Sequence, residues 1–283
     1  MSIRLFIYDK QEDDTRRMAQ IIGFTAGYGK IFSLNELPAE CKGYSQAVFI
    51  YKKGCGSTEN FLKQAQNRIA SWKENCEFAF LEITGENKNS EVTKAFRKKH
   101  EEKSIFYETI SEAEDFIDAA AKVSNQLKKF NPRMESEQLK ASIEEFIKAH
   151  DTFALATGAE NYVRCTPIEY QFIDGNFYII TEGGLKFRSI LKNSNVSMGI
   201  YEPYSSMQNL RGLQVMGKAE IVPYGSEEYY HAFAGKGISK EQVSKLMVNM
   251  HILKIKPYEY EILNSDFRKM GYDSRQRYVF EMN

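Results

Sequence analysis

Two units of different architecture are predicted: an α/β unit on a doubly wound parallel sheet over residues 1–131, then an antiparallel β-barrel over residues 132–283. Three observations predict this. Up to about residue 128, short apolar runs alternate with helical patterns, the signature of parallel βαβ units. From Asp151 onward apolar residues recur at every second position, which is the strand period. Between the two, Asn131-Pro132 stops any helix and stands among Lys128, Lys129, Arg133 and Glu135, the composition of a linker.

The totals narrow the function. A chain of 283 residues with 42% hydrophobic content can bury a core in each unit. Lys plus Arg equals Asp plus Glu at 38 each, so no global field draws the protein to nucleic acid or an anionic membrane, and any anion binding must be local. No apolar run approaches the roughly 20 residues of a spanning helix. The first residues also lack a cleavable signal pattern, so a cytoplasmic location and no membrane partner are expected. Cys41, Cys55, Cys76 and Cys165 form no C-x-x-C pair, and His100, His150, His231 and His251 lie far from them. That spacing argues against a metal site and for free thiols in a reducing compartment.

In the first unit, residues 3–8 read as a buried strand, followed by a helix from Asp13 closed by Gly23. Strands over 30–34 and 46–52 follow, and then a helix to about Asn75, capped by Ser57 or Thr58. Residues 78–84 form a strand, and 86–103 hold a helix. Residues 104–109 form the last strand, before a helix with Ser111 as cap and Glu114 at the capping-box position. Five strands alternating with helices over this length resemble the flavodoxin-like fold. Flavodoxins wrap the FMN phosphate with a Ser- and Thr-rich loop after the first strand. Here that loop carries Asp9, Glu12, Asp13 and Asp14, which would repel a phosphate, so this unit is expected to hold no FMN of its own. The Lys52–Glu59 loop could accept an anion on backbone N–H groups or could be an ordinary βα turn. Cys55 on it is a reactive thiol or a plain turn residue. A phosphorylation-receiver reading fails, because no Asp ends the third strand.

In the second unit an amphipathic helix presents Leu139, Ile143, Phe146 and Ile147 on one face. Strands then follow over 151–157, 161–173 and 177–181, with Asp174-Gly175-Asn176 as a tight hairpin turn. Further strands cover 195–201, 210–222 and 251–263, with Gly212 and Gly217 as bend points and a helical insert between Ser226 and Met250. Tyr162, Arg164 and Thr166 alternate with Val163 and Cys165. The apolar set is expected to face the barrel interior and the polar set to face out, where Arg164 can reach a ligand. Lys186 enters a helix, K-F-R-S-I-L-K-N, through the Gly183-Gly184 turn, so an Arg fork, a Lys charge and a helix N-terminus converge as for a phosphate. Singly, Arg164, Lys186, Arg188 and Lys192 read as surface residues; it is their placement around one turn that favours a site.

F-A-L-A-T (153–157), R-C-T-P-I-E-Y (164–170), D-G-N-F-Y-I-I-T (174–181), K-F-R-S-I-L-K-N-S-N-V-S-M (186–198) and G-K-A-E-I-V (217–222) come in order and in register. Together they resemble the FMN-binding split barrel of the pyridoxamine 5′-phosphate oxidase-like family. The resemblance covers about residues 136–283. It implies that Arg164 and Lys186 hold the FMN phosphate and that Cys165, Thr166 and Pro167 lend backbone to the flavin. It also implies that Ile180 and Thr181 lie under the ring, and that Arg211 and Gly212 come from the second subunit of a homodimer. Relatives often place Gln where this chain has Gly212.

The implied activity is that of an FMN-dependent oxidoreductase, a flavin reductase or a reductase of a small organic acceptor, drawing on NAD(P)H or another electron donor. Pyridoxamine phosphate oxidation itself is not expected, since the family's C-terminal Trp-containing signature is missing from the tail around Arg275 and Arg277. The alternative is a non-catalytic flavin- or haem-binding sensor or store with a partner-binding N-terminal unit, in which His251 or His150 would be the axial ligand. The run Tyr201–Met207 with Gln208 either lines the ring pocket or forms a loop.

Overall fold

The computed structural model describes residues 3–37, 40, 43–72, 76–85 and 91–281. Its chain divides into two compact units, Met1–Asn131 and Pro132–Asn283.

The first unit comprises β1 (Arg4–Tyr8), α1 (Asp13–Ala26), β2 (Gly29–Ser33), β3 (Gln46–Lys52), α2 (Thr58–Trp72), β4 (Glu77–Thr84), α3 (Glu91–His100), β5 (Phe106–Ser111) and α4 (Phe116–Lys128). All strands pair in parallel in the order β2-β1-β3-β4-β5. This is the flavodoxin-like doubly wound sheet. Its strands are apolar on both sides because both faces are covered: α1 and α4 bury Met18, Ile22, Ala119 and Val123 on one, while α2 and α3 bury Phe61, Leu62 and Phe96 on the other.

Two helix boundaries differ from expectation. α1 runs through Gly23 to Ala26; Gly23 is there a close-packing position, where a Cβ would meet Ile31 at 2.8 Å, rather than a helix stop. α4 starts at Phe116, with Asp115 as its cap accepting the Ile117 N–H at 2.7 Å; Ser111 instead ends β5 and its hydroxyl accepts the Ala113 N–H. Asn75, residues 86–90 and Cys41, which the sequence reading assigned, lie outside the described residues.

The second unit begins with α5 (Ser136–Lys148), which buries Leu139, Ile143, Phe146 and Ile147. It continues through β6 (Thr152–Ala159), β7 (Tyr162–Glu169), β8 (Gln171–Ile173), β9 (Asn176–Thr181), α6 (Lys186–Ile190), β10 (Asn195–Tyr201), β11 (Arg211–Val222), α7 (Glu227–Ala234), α8 (Lys240–Ser244), β12 (His251–Asn264) and β13 (Arg275–Val279). The strands form one antiparallel sheet in the order β7-β6-β10-β11-β12-β9-β8, with β13 also on β12. It curls into a half-barrel around Leu155, Phe177, Ile179, Met198, Val215 and Leu253. Asp174 and Gly175 both have positive φ, as a two-residue hairpin turn requires. The β11–β12 register shifts at Met216/Gly217, where the Lys256 carbonyl approaches too closely for a side chain. β13, a strand that the polar sequence of the tail does not mark, pairs with β12, where Arg277 grips Glu259 through two hydrogen bonds at 2.5 and 2.7 Å.

Candidate functional site

The site is assembled from the carboxyl-terminal half of β6, the start of β7, the end of β9 and α6. In the β6–β7 register, Thr157 stands opposite Arg164, Leu155 opposite Thr166, and Phe153 opposite Ile168. Residues directly opposite share a face. Phe153 and Leu155 lie in the core, so Arg164, Thr166 and Ile168 face the barrel interior. Val163, at 78% exposed, and Cys165 face out. The expected orientation of β7 is therefore reversed: alternation divides the strand into two sets, but only the register against β6 decides which set is inward. Pro167 is accommodated because β7 is the sheet edge, where a missing N–H breaks no ladder.

α6 packs on β6 and β7. It is entered through Gly183 and Gly184, with φ of 132° and 108°, a backbone that strains any L side chain; a Cβ at Gly184 would also come within 3.6 Å of Lys186 Nζ. The turn places Lys186 inside the unit, 5% exposed, where its ammonium donates to Thr181 Oγ1 at 2.8 Å and to the Gly183 carbonyl. Burial lowers the Lys186 pKa below the ordinary lysine value; Glu182 pulls it back up and Arg164 pushes it further down. Arg164 and Lys186 are thus brought close enough to repel each other. Neither forms an ion pair with any described residue.

Around these two cations the hydroxyls of Thr157, Thr166 and Ser189 are buried without a hydrogen-bond partner. A native interior rarely leaves such groups unmatched. Three hydroxyl donors, an unpaired guanidinium and a buried ammonium on one face match an oxyanion such as phosphate. Thr157 and Ser189 were not singled out from the sequence. The signal for Thr157 was a polar residue at the apolar-period position after Phe153 and Leu155.

Other candidates fall differently. α6 is five residues long and its early N–H groups are used, Phe187 donating to Gly184 O and Arg188 to Leu185 O, so the expected helix N-terminus contributes little and the site rests on side chains. Arg188 stacks on Tyr162 at 4.5 Å, and Lys192 pairs with Glu160 at 3.1 Å. Thr181 shares the Ile179 face and meets Lys186, whereas the Ile180 side chain packs against the α7–α8 cluster on the opposite face. Arg211 and Gly212 lie at the other end of β11 and β12. Arg211 pairs there with Asn264 in the register, while Thr181 pairs with His251. Thirteen residues of β12, roughly 40 Å of strand, separate the two places. Arg211 is bound at 2.5 Å to Asp266 and at 3.5 Å to Glu202. His251 is exposed beside Gly183, its ring 5.5 Å from Phe187, whereas the His150 Nδ1 is held at 2.7 Å from the Phe146 carbonyl. No group of three or more metal-ligating residues occurs among the described residues, and no helix there is long and apolar enough to cross a membrane.

The family model for pyridoxamine 5′-phosphate oxidase matches residues 139–264. That match falls within the C-terminal unit, whose curled antiparallel sheet follows a flavodoxin-like parallel one. Similar solved structures include a putative pyridoxamine 5′-phosphate oxidase from Listeria innocua (19% identity, 45% of this chain and 99% of that chain covered, TM-score 0.37). A FAD-binding protein from Mesorhizobium loti is similar at 17% identity (43% and 89% covered, TM-score 0.35). The haem storage protein HutZ from Vibrio cholerae is similar at 19% identity (44% and 91% covered, TM-score 0.36). No curated protein sequence matches the chain.

Proposed function

We propose that the C-terminal unit binds FMN and acts as an FMN-dependent oxidoreductase, a flavin reductase or a reductase of a small organic acceptor. One observation carries the reading: Arg164 and buried Lys186 lie within Coulombic reach of each other, neither in an ion pair with a described residue, in a part of the unit that also holds three buried unpartnered hydroxyls. A phosphate dianion would answer such groups, and the match to the pyridoxamine 5′-phosphate oxidase model supports a flavin phosphate as its source. FMN supplies hydride and electron transfer, with NAD(P)H or another donor reducing it. The chain's own work is to hold the phosphate, through Arg164, Lys186, Thr157, Thr166 and Ser189, and to offer the free edge of β7, at Cys165, Thr166 and Pro167, for backbone contacts to the flavin. Thr181 positions the Lys186 ammonium. Arg211 and Gly212 can join the site only from a second copy, so their participation requires a homodimer.

A second reading, a haem-binding sensor or store, has His251 in its favour, exposed beside the Gly183 turn. Purification decides between the two. FMN binding predicts a yellow protein whose flavin is released on denaturation; a Soret band would instead favour haem. A colourless protein that FMN does not stabilise would overturn both.

A further inference from the structure

The acidic loop after β1 answers a question the split barrel does not touch. In the order β2-β1-β3-β4-β5, the chain leaves β1 for α1 on one face and β3 for α2 on the other, and a crevice opens between the two loops at the carboxyl ends of the strands. Here the crevice is about 240 Å³, and Asp9, Lys10, Asn35, Asn60, Phe61 and Gln64 are among its lining residues. It is smaller than the roughly 300–1,000 Å³ of a drug-sized pocket, which suits a short-chain or single-ring molecule.

Asp9 is the feature that points to a ligand. It is 6% exposed, and its backbone is fixed by its carbonyl, which accepts the Glu12 N–H at 3.1 Å and the Thr15 hydroxyl at 2.8 Å. Oδ1 accepts the Gln11 N–H at 3.1 Å, while Oδ2 is buried without a partner. A buried carboxylate oxygen needs a donor. Neither nearby cation supplies it: Lys52 bridges Asp14 at 2.7 Å and Glu112 at 2.8 Å, and Lys10, although it lines the crevice, makes no hydrogen bond to Asp9 Oδ2. Glu12 stands beside the crevice, its carboxylate 3.5 Å from the Ser57 hydroxyl, which disfavours a phosphate. A metal ion lacks its ligand set among the described residues. What remains is a molecule that brings its own positive N–H groups, with Asn35, Asn60 and Gln64 as further acceptors and Phe61 as an apolar wall.

We propose that this crevice binds a small organic cation, an amine or a guanidinium, whose nitrogen donates to Asp9 Oδ2. The N-terminal unit is then a second ligand site, independent of the flavin. Agmatine, which carries both groups, is the probe: calorimetric titration of the full chain should give saturable binding below about 1 mM. Asp9→Asn, isosteric and able to keep the Gln11 contact, should weaken it about tenfold or more. Asn60→Leu, which fills the crevice from the exposed start of α2, should do the same if Asp9→Asn fails to fold. Arg164→Ala should leave agmatine binding unchanged. The proposal is overturned by an absence of saturation at about 10 mM, by undiminished binding in the folded variants, or by inorganic phosphate competing with agmatine for the site.

Discussion

Lys186 concentrates the physics of the C-terminal unit in one residue. A buried ammonium with no anionic partner is expensive to fold around, which is why its pKa lies below the ordinary lysine value. The sign follows from linkage: a depressed folded-state pKa means that the stability tied to this group is present above the ordinary lysine pKa and is lost as pH falls through the folded pKa. At pH 7 the ligand-free protein therefore carries a penalty that a bound anion would relieve. Lys186→Met is expected to stabilise the ligand-free protein at pH 7 by on the order of 1 kcal/mol, and to weaken FMN binding at the same time. Urea denaturation with and without FMN reads both effects. A Lys186→Met protein destabilised in both states would show that the lysine serves packing through Thr181 and Gly183. Wild-type FMN affinity should also fall as pH rises toward 10, where the ammonium loses its proton ahead of an exposed lysine.

At the scale of elements, local sequence rules account for most boundaries, and tertiary context explains the exceptions. The hairpin at Asp174-Gly175 and the buried stripe of α5 were legible because turn chemistry and a 3.6-residue period are local properties. The start of α4 was misread because Ser111, Glu114 and Asp115 all fit a cap; β5 claims Ser111 by pairing it with Thr84, which leaves Asp115 to cap. Asp115→Ala is accordingly expected to cost about 1 kcal/mol of first-unit stability, while Ser111→Ala costs less; thermal melts of the two variants check the order. β7 was misread for a different reason. Its two faces are chemically mixed, so its inward face is set by pairing with Phe153 and Leu155 on β6, a long-range fact.

For the whole molecule, the change from helical to strand period at Asp151 announced an α/β sheet followed by an antiparallel one, and the strand orders confirm both architectures. The candidate site was legible only in part. Arg164, Thr166, Thr181 and Lys186 converge, while Thr157 and Ser189 emerged only once α6 was seen against β6 and β7. Arg211 and Gly212 stand at the far end of β12 from Thr181, a separation set by strand pairing that leaves no trace in local pattern. The central claim, that Arg164 and Lys186 are the phosphate end of a flavin site, is tested most directly by titrating FMN into the wild-type protein and an Arg164→Ala/Lys186→Ala variant. Two charge-assisted contacts at about 1.5–3 kcal/mol each predict a loss of about a hundredfold or more with the fold retained. A folded double variant that binds FMN as tightly as the wild type would contradict the account.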